Sequence, residues 1–133
     1  MDSEVLELTT GGHLTTDITA AAADFCRGRG DGLLHVVVPH ATAGVAIFET
    51  GAGSEEDLDL ILESLLPRGA AYLHRHGSPG HGRDHVLPAL IAPSITVPVL
   101  DGRMQLGTWQ SIVLVDPNSD NPHRQVRLSF LAG

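Results

Sequence analysis

The stretch LLHVVVPHATAGVAIFE, residues 33–49, decides the fold class. Leu33 to Val38 is a β-branched run suited to a central strand, and Thr42 to Glu49 reads as the next strand. Pro39-His40-Ala41 lies between them. Toward the N-terminus, Glu4 to Thr9 alternates as a first strand. Thr15 or Thr16 then caps a helix whose apolar positions Ile18, Ala21, Ala22, Phe25 and Cys26 share one face until Gly28 and Gly30 stop it. Toward the C-terminus, Ser54 is an N-cap with Asp57 three residues on, and Leu58, Ile61, Leu62 and Leu65 form one face of a helix ending at Pro67. Residues 76–84 are a glycine-rich loop, and His85 to Leu90 a short helical or irregular piece. Ile95, Val97 and Val99 alternate in a strand that Pro98 assigns to an edge. Asp101-Gly102 supplies a two-residue hairpin turn, Met104 to Trp109 returns, and Gln110 to Val115 continues as an apolar run. Residues 116–122 turn, and Arg124 to Leu131 closes the chain. The order β-α-β-β-α-(α)-β-β-β is that of an α+β protein.

Outward from this pattern, composition bounds the function. A chain of 133 residues is one domain by size. With 42% hydrophobic and 18% charged residues it can form a packed core. Its formal charge of −8 is the wrong sign for a nucleic-acid partner. One cysteine, Cys26, excludes an intramolecular disulfide. The N-terminal MDSEVLELTT has neither the basic nor the apolar region of a signal peptide, and no apolar stretch is long enough for a membrane helix. The expectation is a cytoplasmic protein with no membrane partner.

Histidine is the residue type that points to chemistry. Six of the eight, namely His35, His40, His74, His76, His81 and His85, fall within residues 35–85. His74 and His76 have the same-face spacing of a strand, and His81 and His85 that of a helix; both spacings suit metal chelation. Glu49 ends an otherwise apolar strand close behind His40 in sequence, where a carboxylate can orient an imidazole or act as a general base. Leu106-Gly107-Thr108-Trp109-Gln110 sets the chain's one tryptophan between two hydrogen-bonding side chains, the pattern of a core Trp with satisfied neighbours. No GxSxG elbow, P-loop, GxGxxG or CxxC is present.

Taken together, His40-Ala41-Thr42-Ala43, Tyr72-Leu73-His74, the glycine-rich loop to His85, Pro93-Ser94-Ile95-Thr96-Val97-Pro98-Val99, Gly102-Arg103 and Leu106-Gly107-Thr108-Trp109-Gln110 closely resemble the YjbQ family of secondary thiamine-phosphate synthase-like proteins. The resemblance implies a β-sandwich of about seven strands in two sheets with two to three helices, assembled as a homotrimer. It implies weak transfer chemistry joining a hydroxymethylpyrimidine diphosphate to a thiazole phosphate, so the expected partner besides the chain itself is a small anionic phosphorylated substrate. It further implies a divalent metal, zinc or magnesium, on His74 and His85 with His40 as third ligand or His81 in its place. Catalytic positions are His40, Glu49, Asp57 and His85, and substrate-binding positions are Thr42, Thr108, Trp109 and Gln110. The chain departs from the family pattern at Phe48, where Asn is usual, and at Gly80-His81, where Gly-Asn is usual; the second exchange bears on metal preference. The alternative is a trimer that binds a metal or small metabolite without chemistry.

Overall fold

A computed structural model describes every residue from Met1 to Gly133. Strands β1 (Asp2–Thr9), β3 (Gly32–Val37), β5 (Ser94–Leu100), β6 (Arg103–Met104) and β8 (His123–Ala132) form an antiparallel sheet in the order β1-β8-β3-β5-β6. Strands β2 (Thr15–Asp17), β7 (Ser111–Val115) and β4 (Gly44–Phe48) form a second sheet in the order β2-β7-β4. Three helices complete the chain: α1 (Thr19–Cys26), α2 (Ser54–Leu65) and α3 (Leu87–Leu90), the last preceded by a 3₁₀ turn from His81 to His85.

The core follows from strand alternation. Leu34 and Val36 of β3, Val97 and Val99 of β5, and Val126 and Leu128 of β8 point inward from the large sheet. They meet Ile112 and Leu114 of β7, Val45 of β4, and Ala22, Phe25 and Cys26 of α1. The other face of β7 presents Val113 and Val115 to Leu62 and Leu66 at α2 and Leu87 of α3. Strand β7 is therefore buried on both faces, which is why SIVLV is an unbroken apolar run rather than an alternating one.

Several elements differ from expectation. Thr15 and Thr16 do not cap a helix: they pair with Val115 and Leu114 as strand β2. The helix starts later, and Asp17 Oδ1 accepts the Thr19 N–H at 2.8 Å. Helix α2 enters through Gly53 at φ 96°, with Ser54 already helical, and Glu55 rather than Ser54 bonds back to the preceding loop at the Gly51 N–H. Of its predicted apolar face, Leu62 is buried and Leu58 packs against the same cluster, but Ile61 and Leu65 are exposed. The Asp101-Gly102 turn is present, with φ of 50° and 71°. The returning strand stops at Met104, because residues 105–110 must cross from the large sheet to β7 in the small one. Gln110 Oε1 accepts the Gly107 N–H at 2.7 Å, a side-chain bond that closes a local turn in place of a strand ladder. The strands number eight, two of them very short. No helix is long and apolar enough to cross a membrane.

Gly44 fixes how the sheets reach the histidines. A Cβ there would lie 2.1 Å from the Ile91 carbonyl oxygen, so only glycine lets β4 start against the segment leaving α3. Val45 N–H then bonds to Ala92 O at 2.9 Å. The His40–Thr42 corner is thereby held beside the His81–His85 turn.

Candidate functional site

His74 lies on the irregular segment after α2, and His81 and His85 on the 3₁₀ turn. A Cβ on Gly82 would meet the Tyr72 Cβ at 2.6 Å and the His74 carbonyl oxygen at 3.0 Å, so glycine is required for these two segments to touch. The result is that one ring nitrogen from each of His74, His81 and His85 lies within 4.8 Å of the others. His81 Nε2 and His85 Nε2 are 2.7 Å apart, and the His74 ring stacks on His85 with centroids 3.9 Å apart.

The surroundings orient these rings. His81 Nδ1 faces Asn118 Nδ2 at 3.3 Å and the carboxylates of Asp84 and Asp120, each at 3.4 Å. A carboxylate on one ring nitrogen fixes the N–H there and leaves the other nitrogen bare for a metal. Burial, and then the neighbouring imidazoles, hold His74 and His85 below the usual histidine value, which favours the neutral, ligating form. Burial pushes the Asp84 carboxyl upward. Hydrogen bonds from Ser78 hold Asp120 below the usual carboxylate range.

These residues fit a divalent ion. His74 Nδ1 is buried and has no hydrogen-bond partner, an orphan that a metal or a proton donor would satisfy. Three imidazoles match the ligand preference of zinc, whereas magnesium takes oxygen ligands.

His40 does not join the three. Its Nε2 accepts the Gln125 N–H at 2.8 Å, so that ring nitrogen is committed to the backbone of β8. Burial and the nearby Arg124 lower its pKa. It lines a concavity of about 360 Å³ shared with His76, His81, His85 and Asp120, and so flanks the cluster. Thr42 is buried beneath this concavity: its hydroxyl donates to Asp116 Oδ1 at 3.1 Å, and Arg124 Nε bonds Asp116 Oδ2 at 2.5 Å.

The remaining predicted positions lie apart from the histidines. Glu49 follows the last residue of β4, and five strand residues from Gly44 to Phe48 span roughly 16 Å. His40 and Glu49 thus stand at opposite ends of one strand, not at one corner. Asp57 is exposed on the first turn of α2. Thr108, Trp109 and Gln110 form an exposed turn, and Trp109 is 73% exposed rather than a core residue. That turn is near Glu49, since Thr50 Oγ1 and Ser111 Oγ are 3.2 Å apart. The arginines Arg83 and Arg124 are both buried and consumed in ion pairs, with the half-exposed Glu63 and the buried Asp116 respectively.

Sequence reasoning missed Asp84, Asp116, Asn118 and Asp120. The last three alternate in Asp116-Pro117-Asn118-Ser119-Asp120, a polar spacing that reads as a turn and that also directs side chains at His81 and Thr42.

Comparison with known proteins agrees with this architecture. The sequence model of the family described as UPF0047 protein YjbQ-like matches residues 4–133. The UPF0047 protein Rv2556c of Mycobacterium tuberculosis is 61% identical over 133 residues, covering 100% of both chains. The UPF0047 protein YjbQ of Salmonella typhimurium is 30% identical over 105 residues, covering 78% of this chain and 76% of that one. The crystal structure of the hypothetical protein APE1520 from Aeropyrum pernix K1 superposes with a TM-score of 0.91 at 29% identity, covering 100% of both chains. A YbjQ-like protein of unknown function from Sulfolobus solfataricus shares the fold, with a TM-score of 0.92 at 21% identity, covering 99% of this chain and 97% of that one.

Proposed function

The chain belongs to the YjbQ-like UPF0047 family, and on that premise we propose that it is a metal-dependent transferase of the thiamine-phosphate synthase type, slow in turnover. Zinc or a similar ion is held by His74, His81 and His85, and a small phosphorylated substrate lies beside it. The observation that carries the metal part is the trio of ring nitrogens within 4.8 Å, one of them backed by two carboxylates. The reaction type rests on the family resemblance. In that reaction the thiazole nitrogen forms a bond to the pyrimidine methylene carbon as the bond from that carbon to pyrophosphate breaks. A bound divalent ion supplies positive charge at the departing oxygens. His40, neutral with its pKa lowered and with Nε2 accepting the Gln125 N–H, carries its ring proton on Nδ1 and borders the concavity as a hydrogen-bond donor, while Thr42, Asp116 and Arg124 hold its floor rigid.

Glu49, Thr108, Trp109 and Gln110 are too far along the sheet to meet the histidines of their own chain. In this proposal they reach the site of a neighbouring copy in a homotrimer, where Trp109 stacks on a substrate ring and Gln110 meets its polar edge. The test uses purified protein with zinc, manganese or magnesium and the two phosphorylated precursors. Thiamine phosphate is expected to form, His85→Ala to lose both metal and turnover, and Glu49→Gln to lose turnover with metal retained. Metal uptake without turnover under any of these ions favours the second reading, a metal- or metabolite-binding module. One observation speaks for that reading: Arg124, the arginine that lines the His40 concavity, is tied to Asp116.

A further inference from the structure

The charge distribution around the glycine-rich loop carries an inference of its own. Six of the eight arginines are engaged: Arg27 with Asp24, Arg29 with Asp2, Arg68 with Asp84, Arg83 with Glu63, Arg124 with Asp116, and Arg127 with Ser3. Arg75 and Arg103 have no ion-pair or hydrogen-bond partner for the side chain. Arg103 stands on the remote β5–β6 hairpin, but Arg75 is placed between His74 and His76. It lines a groove of about 490 Å³ together with Arg68, His74, His76, Ser78 and His81.

No carboxylate lines this groove, in a chain with sixteen acidic residues and a formal charge of −8. The other polar cavities each carry at least one acid: Asp59, Glu63 and Asp116 in one, Asp120 in the next and Asp101 in a third. Arg68 is held by two long contacts, 3.8 Å to Asp84 and 3.4 Å to the Pro117 carbonyl oxygen, with its side chain 44% exposed. Two arginines line this groove beside three imidazoles, with Asp84 and Asp120 behind the lining at His81 and Ser78, and unpaired Arg75 adds positive charge at its wall; guanidinium is the side chain best matched to phosphoryl oxygens.

We propose that this groove is a phosphoryl-anion subsite, with Arg75 as its principal ligand and Arg68 as its second. It lies on the loop side of the histidine cluster, adjoins the His40 concavity through His76, Gly77 and His81, and rests on the reading of those histidines as the reaction centre. It gives a diphosphate-bearing substrate a place for its charged end while the rest of the molecule extends past His74 and His81. It also supplies the positive charge that the buried Arg83 and Arg124 cannot.

The probe is inorganic pyrophosphate, titrated calorimetrically into metal-free and zinc-loaded protein, with zinc content measured separately. Arg75→Gln removes a side chain that the fold does not use, so it preserves the structure. It is expected to weaken pyrophosphate binding about tenfold or more in both forms, the loss typical of a charge-assisted hydrogen bond, and to leave zinc stoichiometry unchanged. Arg103→Gln is expected to bind as wild type does. Wild-type affinity in Arg75→Gln, an equal loss in Arg103→Gln, or no pyrophosphate binding by the wild type overturns the subsite. Failure of the metal assignment has a different signature, wild-type protein that takes up no zinc. In that event the Arg75 dependence on metal-free protein still decides the subsite.

Discussion

Replacing Asp116 with alanine tests the frame on which the site stands. Its side chain is fully buried and accepts three hydrogen bonds: from Arg124 Nε at 2.5 Å, Thr42 Oγ1 at 3.1 Å and the Asn118 N–H at 2.9 Å. Arg124 is itself 5% exposed, so Asp116→Ala strands a buried guanidinium, which costs about 3–5 kcal/mol. Against the roughly 5–15 kcal/mol that stabilises a domain, that is a large fraction. Removing both charges with Asp116→Ala and Arg124→Met leaves only the Thr42 hydroxyl and the Asn118 amide to satisfy. The double variant is therefore expected to be more stable than the single one. Urea unfolding at fixed protein concentration measures both. Because Asp116 also pins Asn118, whose side chain faces His81, the single variant is expected to bind zinc about tenfold more weakly. Leu128→Ala, which opens the core elsewhere at a cost of roughly 2–5 kcal/mol, serves as the control and should leave zinc affinity near wild type. A loss below about 1 kcal/mol in Asp116→Ala, or a double variant no better than the single, refutes the reasoning.

Three further outcomes are expected. Asp120→Ala removes the acceptor of the Ser78 N–H and one carboxylate at His81; amide exchange at Ser78 should accelerate and zinc affinity fall, and unchanged exchange contradicts the contact. His74 and His85 titrate below the usual histidine value when folded, so in metal-free protein their effect on stability is absent above about pH 6.5. Below that the unfolded chain protonates first, so stability falls with added acid until the folded rings titrate too; a urea midpoint rising between pH 7 and pH 5 in wild type relative to a His74→Ala, His85→Ala variant contradicts this. Zinc binding should hold at neutral pH and weaken in acid, since protonated rings cannot ligate. Trp109→Ala should change the stability of the dilute protomer by no more than about 0.5 kcal/mol, as for other exposed positions, whereas a core tryptophan would cost several times that.

Where a segment's own alternation meets a sheet that buries one face, the sequence was legible. Strands β3, β5 and β8 were placed within a residue or two, and Asp101-Gly102 announced its hairpin through two positive φ angles. Strand β2 was not legible, because Thr15 and Thr16 suit a helix cap equally well and only the edge of β7 decides between them. The same holds for residues 105–110, where a glutamine closing on Gly107 outcompetes the ladder. At the site, histidine spacing singled out His74, His76, His81 and His85, which are close in the chain, while the expected set of His74, His85 and His40 took His40 where the fold brings His81. What His40 does with its ring is set by Gln125, 85 residues away, and no local pattern encodes that. Asp116, Asn118 and Asp120 were hidden for the opposite reason: the turn they form is real, and their second role exists only in the tertiary fold.

The residues that the family pattern nominates divide into two groups on one small sheet. His40 and Thr42 sit at the start of β4, in contact with the histidine side. Glu49 and the Thr108–Gln110 turn sit past its end, apart from the three clustered histidines. A substrate-sized gap cannot be closed by side-chain motion over such a distance, since the central strand of this sheet, β7, is buried on both faces, through Ile112 and Leu114 on one and Val113 and Val115 on the other. The second group also leaves apolar surface uncovered, with Trp109 at 73% exposure, as does Leu73 beside His74 at 92%. Leu60, Ile61 and Leu65 of α2 are 56–71% exposed, and Leu33 and Leu131 on the outer face of the large sheet are 41% and 57% exposed. In the proposed homotrimer, covering such surface gives a driving force for association. In the proposed trimer the same association gives a reason for these particular side chains to be polar or aromatic at an exposed turn, since their partners there are the histidine side of another copy.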